Sequence, residues 1–285
     1  MELTDTQKSI LYSFEVKRAR ELDPSILQKM SGPIINGKEV RKIIDIFSSD
    51  EYLKNDIDGH LASFVIVSPT GLPMAFFSLR CGELFEKSST YKMQLSHNAC
   101  LAINILMSNP SITGAERDEL MSHIEKAEEE GLTVEDFEML PTKKGSMKQD
   151  EILEVNKDIT RVHKVHPAIE IKLFGINSSA NSYWKSLKLP DEMKMGETLF
   201  WMKVVDKIRQ MMEMVGCEFV YLFAADNEAE GELVQYYRVR LNFGSDSKMS
   251  ANKPRFDYMS QFLFQSIKNL FEKQKYFLDN FNIKS

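Results

Sequence analysis

Apolar and charged residues alternate from Tyr12 to Asp23 (YSFEVKRARELD), as in a strand with one wet face, until Asp23-Pro24 stops the pattern. Between Lys38 and Leu53 the period changes. Val40, Ile43, Ile44 and Phe47 recur at helical spacing and predict a helix with one apolar side. SFVIVS and MAFFSLRC, joined through Pro69-Thr70-Gly71, predict a β-hairpin over Ala62 to Cys81. The stretch from about Tyr91 to Lys157 reads as an insertion: an apolar helix (HNACLAINILM), a break at Asn109-Pro110, a long acidic helical run, and the polar connector PTKKGSMKQDE.

Strand character resumes at HPAIEIKLFGIN. Strict alternation puts Ile169, Ile171, Leu173 and Gly175 on one face and Ala168, Glu170, Lys172 and Phe174 on the other. A polar loop, SSANSYWKSLKLPDEMK, leads to Gly196, which opens a helix with an apolar stripe of Leu199, Phe200, Val204, Ile208, Met211 and Met212 and a stop at Gly216. CEFVYLFAAD is apolar almost throughout and short enough to be a buried strand. The strand, helix and strand from His166 to Asp226 form a crossover unit, which places its two strands side by side and parallel. GELVQYYRVRLNF then reads as a short helix returning to a strand-like end. Beyond Gly244, Phe262, Phe264, Ile267, Leu270, Phe271 and Phe277 predict a C-terminal amphipathic helix that packs on the body or forms a homodimer interface.

Composition narrows the class. The 285 residues hold 36 Lys+Arg against 42 Asp+Glu, with 43% hydrophobic residues, so a folded core is expected. The net charge of −6 argues against a dedicated nucleic-acid binder. No signal-peptide pattern opens the chain and no window approaches eighteen consecutive apolar residues, so the protein reads as cytoplasmic with no membrane span. Cys81, Cys100 and Cys217 are widely separated and read as small buried hydrophobes rather than a disulfide framework. The five histidines lack the spacing of a helical zinc site, so no metal is expected.

In these segments the chain resembles the GNAT superfamily of acetyltransferases. AIEIKLFGIN matches the family's fourth strand, MKMGETLFW the start of its cofactor helix, CEFVYLFAADN its fifth strand and LVQYYRVRLNF its last helix; the N-terminal strand, helix and hairpin follow the family's first half in order. The resemblance covers roughly 190 residues and leaves out the acidic insertion and the tail after Gly244. It implies an α+β (α/β) fold with a mixed, mostly antiparallel central sheet, splayed fourth and fifth strands, helices on both faces and an acidic helical insertion. The domain reading is residues 1–90 and 161–244 as two halves of one GNAT-like domain, 91–160 as the insertion and 245–285 as a helical extension.

The resemblance also implies a site. Acetyl-CoA would be the co-substrate, its pantetheine arm held by backbone at Phe174, Gly175 and Ile176 and its pyrophosphate by the helix start at Lys194, Met195, Gly196, Glu197 and Thr198, where free N–H groups and the helix dipole favour an anion. The family's phosphate-cradling pattern survives only at Gly196: Asp191 stands where Gln or Arg is usual and would repel phosphate, while Lys194 replaces a glycine and supplies a charged contact. A tyrosine on the last helix serves the family as the acid that protonates the leaving thiolate. Tyr237 is the first candidate and Tyr236 the alternate, because YYRVRLNF carries one more residue than usual before Phe243. Both tyrosines also suit a core or interface role.

Glu170, mid-strand among apolar residues, is a candidate base for deprotonating an amine, or else the partner of a basic residue. Asp226 and Asn227 would reach the cofactor arm or cap the next helix. His163 and His166 flank the start of the strand as surface residues or auxiliary bases. The function implied is transfer of an acetyl group from acetyl-CoA to an amine-bearing acceptor; the alternative is a catalytically inactive GNAT-like interaction module. A toxin-type enzyme acting on aminoacyl-tRNA would need a basic surface, which RVHKVH does not supply. The acidity is concentrated: Glu116 to Glu138 hold ten acids against Arg117 and Lys126, a net −8, leaving a body of +2 that is compatible with a polyanionic ligand. The insertion itself reads as a solvated face or as a surface that meets a cation.

Overall fold

The computed structural model describes residues 3–28, 30–35, 38–87, 98–99, 101–103, 105–106, 109, 111–129, 162–225, 231–252 and 260–283. Contacts divide the chain into two compact units, residues 1–84 with 166–285, and residues 85–165. In the second unit, helix Ala115–Glu129 exposes Glu116, Asp118, Glu119, Glu125 and Glu129, as a solvated face does. The rest of the acidic stretch and the connector after it lie outside the described residues.

The first unit opens with α1 (Asp5–Tyr12), started by a capping box between Thr4 and Gln7. That cap carries the helix through Tyr12, so the first strand, β1 (Glu15–Arg18), is shorter than the alternation predicts. After α2 (Pro24–Gln28) and the two-residue strands β2 (Ile34–Ile35) and β3 (Lys38–Glu39), the single predicted helix is two: α3 (Arg41–Phe47) and α4 (Asp50–Ile57). Ser49 breaks it, because its side chain accepts from the Tyr52 N–H and restarts the helix. β4 (Ala62–Val67) and β5 (Pro73–Lys87) form the predicted hairpin, with Gly71 at φ +80° in its turn.

β6 (Val162–Ile176) is followed by α6 (Asn181–Ser186), a helix inside the predicted polar loop; with Ala115–Glu129 counted as α5, the next element is α7. It is one long helix built of Met195–Leu199, a π-helical turn Phe200–Val204, and Val205–Val215, ended by left-handed Gly216. β7 (Phe219–Ala224) follows, then α8, in which Glu232–Gln235 continues as a π-helical turn Tyr236–Arg240. The chain closes with β8 (Met249–Ala251), β9 (Gln261–Ser266) and α9 (Ile267–Asn280).

The strands form one sheet in the order β1-β4-β5-β6-β7-β9, with β8 on β5. The sheet is mixed and mostly antiparallel, and β6 and β7, joined through α7, are its parallel pair, as the crossover predicts. One face carries α7, whose Phe200, Val204 and Ile208 are fully buried against Ile66, Met74, Phe77 and Ile169. The other carries α3 and α4, with Phe47, Tyr52 and Phe76 in a second apolar cluster. Among the described residues no helix is long and apolar enough to cross a membrane.

The tail departs from its reading. Phe262 and Phe264 belong to β9, which pairs antiparallel with β7 along all six of its residues, so residues after Gly244 complete the sheet rather than append to it. Only from Ile267 is the tail helical. Its apolar stripe is covered by the chain's own body: Ile267, Leu270, Phe277 and Leu278 are buried, and the Phe277 ring lies 6.3 Å from that of Trp201. Polar contacts fix the docking, since the buried Gln274 amide donates to the Trp201 carbonyl and to Asp206, each at 2.8 Å. Leu270 is fully buried in this interface, so Leu270→Ala is expected to cost about 2–5 kcal/mol, read as a lower urea midpoint at unchanged slope.

Candidate active site

The site begins with a change of phase in β6. Ile169 and Ile171 pack in the cluster under α7, and strict alternation would send Leu173 there as well. Instead Phe174 and Ile176 join that cluster while Leu173 packs with the α3–α4 side. Lys172 stays on the side of Glu170, its Nζ 3.7 Å from Glu170 Oε1. Two successive residues therefore share a face, the signature of a bulge, which bends a strand and leaves backbone unpaired. Pairing with β7 stops at the same place: the last pair is Ile171 with Leu222, although β6 runs to Ile176 and β7 to Ala224.

Between the parted strands lies a cleft of about 1090 Å³, the size range of small-molecule sites. Phe174, Gly175, Ile176, Lys194, Met195 and Gly196 all line it, as do Glu170, Tyr236 and Tyr237. Its cations are Lys172, Lys185, Lys188, Lys194 and Arg240, against Glu170, Asp191 and Glu232, a surplus that suits an anionic ligand. Gly175 is tied to this geometry by packing, because a Cβ there would meet Phe76 Cζ at 2.6 Å.

α7 starts at the cleft without a side-chain cap on Lys194, and its first internal bond is Thr198 N–H to the Lys194 carbonyl. The amides of Met195, Gly196 and Glu197 precede that bond and are free of it. Three buried polar atoms cluster here without a hydrogen-bond partner: Tyr236 Oη, Glu197 Oε2 and Thr198 Oγ1. Of the three residues, only Tyr236 also lines the cleft. Burial, reinforced by Tyr237 and Glu197 and opposed by Arg240, holds the Tyr236 hydroxyl well above the ordinary phenol range. Burial also pushes the Glu197 carboxyl up, against the pull of Arg240 Nη1 at 3.7 Å.

The two tyrosines occupy different surroundings. Tyr237 sits in the core, its ring 6.1 Å from that of Phe243, with burial raising its phenol. Tyr236 lies against the start of α7: a Cβ on Gly196 would come within 2.9 Å of its hydroxyl. The extra residue before Phe243 is absorbed by the π-helical turn Tyr236–Arg240, a common way for a helix to take up one residue.

Glu170 is buried and ion-paired. Its Oε2 accepts from Arg80 Nε at 2.5 Å and from the Tyr221 hydroxyl at 3.3 Å. The two neighbours from β5 and β7 could not be read from the local pattern around Glu170. His166, expected at the surface, is buried inside β6, bonded through Nδ1 to Glu218 at 2.7 Å and edge-on to Phe219. His163 also falls within β6 rather than before it. Cys81 is exposed, not buried, and Cys217 is half-buried. Cys100, Asp226 and Asn227 lie outside the described residues.

The walls of the cleft come from segments without a site signature in the sequence. Trp184, Leu189 and Met193 come from the loop read as polar, and Ile34 and Ile43 come from the first 50 residues. That loop is ordered: Trp184 Nε1 donates to the Met193 carbonyl at 3.1 Å, and Gln7 Nε2 reaches the Lys188 carbonyl at 2.7 Å. At its start, buried Asn177 donates to the Pro73 carbonyl and accepts from the Ser31 amide. The Trp-Lys-Ser-Leu stretch carried a hint in its lone tryptophan; the contribution of residues 33–43 had no local signal.

No family model matches the chain, and no curated protein matches it. Among solved structures, one described as a bacterial toxin aligns over 92% of this chain and 96% of its own, at 9% identity and TM-score 0.47. AtaTR bound with AcCoA aligns over 92% and 98%, at 9% identity and TM-score 0.41. AtaT complexed with acetyl-methionyl-tRNAfMet aligns over 91% and 98%, at 10% identity and TM-score 0.42. Likenesses at this level say nothing of the chain's chemistry, which rests on its own geometry.

The contact between Gly196 and Tyr236 sets a paired test. Gly196→Ala forces its methyl onto the Tyr236 hydroxyl and, at 3.2 Å, onto Ile176, at an expected cost of about 1–3 kcal/mol. Adding Tyr236→Phe removes the hydroxyl, and the double variant is expected to melt above Gly196→Ala alone by thermal denaturation.

Proposed function

We propose that this protein is an acetyl-CoA-dependent N-acyltransferase of GNAT type, passing an acetyl group to an amine. The observation that carries the reading is the cleft opened where β6 and β7 stop pairing, with the buried Tyr236 hydroxyl, which has no hydrogen-bond partner, beside it at the start of α7. Backbone at Phe174, Gly175 and Ile176, beyond the last pair with β7, would bond the amide groups of a pantetheine arm. Lys194 and the first amides of α7, with Lys185 and Lys188 nearby, would hold its phosphates. Bound there, the thioester supplies an activated acyl group.

Tyr236 is the donor to the developing thiolate in this reading. Its raised pKa keeps the hydroxyl protonated at neutral pH, and its want of a protein partner leaves the O–H free to bond sulfur. Tyr237 then serves as the packing that holds Tyr236, their rings being 5.7 Å apart. Glu170 is committed to Arg80, Lys172 and Tyr221, so the ammonium of the acceptor gives its proton to water, and Glu170 orders the neck of the cleft.

Calorimetry with acetyl-CoA tests the foundation: saturable binding is expected, and no heat at millimolar ligand overturns the reading. Tyr236→Phe is expected to lower kcat about a hundredfold while leaving acetyl-CoA affinity within about twofold. Equal turnover in Tyr236→Phe, with a large loss in Tyr237→Phe, would transfer the donor role to Tyr237.

A further inference from the structure

Lys172 stands at the bulge, where β6 changes phase and its pairing with β7 ends. Its side chain is 19% exposed and lines the cleft, on the same strand as the backbone of Phe174 to Ile176. It differs in setting from Lys188 and Lys194, which line the same cleft from exposed positions. Its Nζ is held 3.7 Å from Glu170 Oε1, and Glu170 is itself tied to Arg80. Burial lowers the pKa of Lys172, with Arg80 acting in the same direction and Glu170 opposing. An amine so placed is a larger fraction neutral, and hence nucleophilic, than one in open water.

Resting on the acetyl-CoA reading above, we infer that Lys172 is a site of self-acetylation that limits the activity of its own cleft. The ammonium gives one proton to solvent, and the neutral amine attacks the thioester carbonyl. The new N–C bond forms as the C–S bond breaks, and the second amine proton leaves with sulfur as the free thiol. The product is an amide, far less reactive than a thioester, so it does not pass the acetyl group onward. It removes the positive charge facing Glu170 and leaves Arg80 as that carboxylate's ion-pair partner. It also places an acetyl group in the neck where the next one would lie.

The test incubates the full chain with acetyl-CoA and follows it by intact mass and peptide mapping. One acetyl group is expected on the Lys172 peptide ahead of Lys188 and Lys194, at a rate independent of protein concentration and slowed by excess CoA. Lys172→Arg, which keeps a cation opposite Glu170, is expected to lose that label alone. The labelled fraction is expected to bind acetyl-CoA about tenfold more weakly by calorimetry. If calorimetry shows acetyl-CoA binding but Lys172 stays unmodified, or is labelled no faster than the exposed lysines, the self-acetylation is overturned and the transferase reading stands. If no acetyl-CoA binds, both fall.

Discussion

Everything distinctive in this structure depends on two parallel strands that stop pairing before they end. Inside a sheet each backbone N–H and C=O is normally satisfied by a neighbour, and a buried group left without one is costly. β6 and β7 share a ladder only as far as Ile171 and Leu222, and beyond that point their edges face a cleft. The bulge at Lys172 and Leu173 produces the divergence, because one extra residue turns the strand and exchanges which side chains face which layer. A ligand with its own amide groups is the natural partner for such an edge.

The polar residues around the opening divide into two sets with opposite conditions. On one side Glu170 is saturated: Arg80, Lys172 and Tyr221 bring a guanidinium, an ammonium and a hydroxyl to one buried carboxylate. Removing a partner would leave a charge less well compensated in a dry place, so this group stabilises the neck. On the other side, at the head of α7, Tyr236, Glu197 and Thr198 each bury an oxygen with no hydrogen-bond partner, Glu197 keeping only an ion pair to Arg240 at 3.7 Å. The contrast separates a hydrogen-bonded cluster from one whose buried oxygens lack such bonds.

Stability for this arrangement comes from an unexpected quarter. β9 continues the sheet beyond β7, and α9 covers α7 through Leu270, Phe277 and the Gln274 bonds. α7 is thus held between the sheet and the C-terminal helix, and Arg209 stacks on the Phe271 ring at 3.8 Å to close the seam. The aromatic-rich C-terminal segment serves to hold α7 of its own chain.

Local patterns determined much of this. The hairpin of β4 and β5, the helix ending at Gly216 and the parallel crossover all follow from short-range periodicity and turn chemistry, which a chain carries in its sequence wherever it folds. The tryptophan-bearing loop and the split of one predicted helix at Ser49 were written in single residues that periodicity averages away. The phase change in β6 was not legible, because LeuPhe after Lys172 satisfies either face equally and only packing against Phe76 and Phe200 decides between them. Phe262 and Phe264 read as part of the C-terminal helix, and it took the open edge of β7 to make them a strand. The partners of Glu170 and the Gly196 backbone that crowds Tyr236 likewise came from segments distant in the chain. Sequence by itself determined most of the elements and their order; tertiary structure decided which polar groups found hydrogen-bond partners within the chain and which did not, because burial and pairing are properties of neighbours brought together only by the fold.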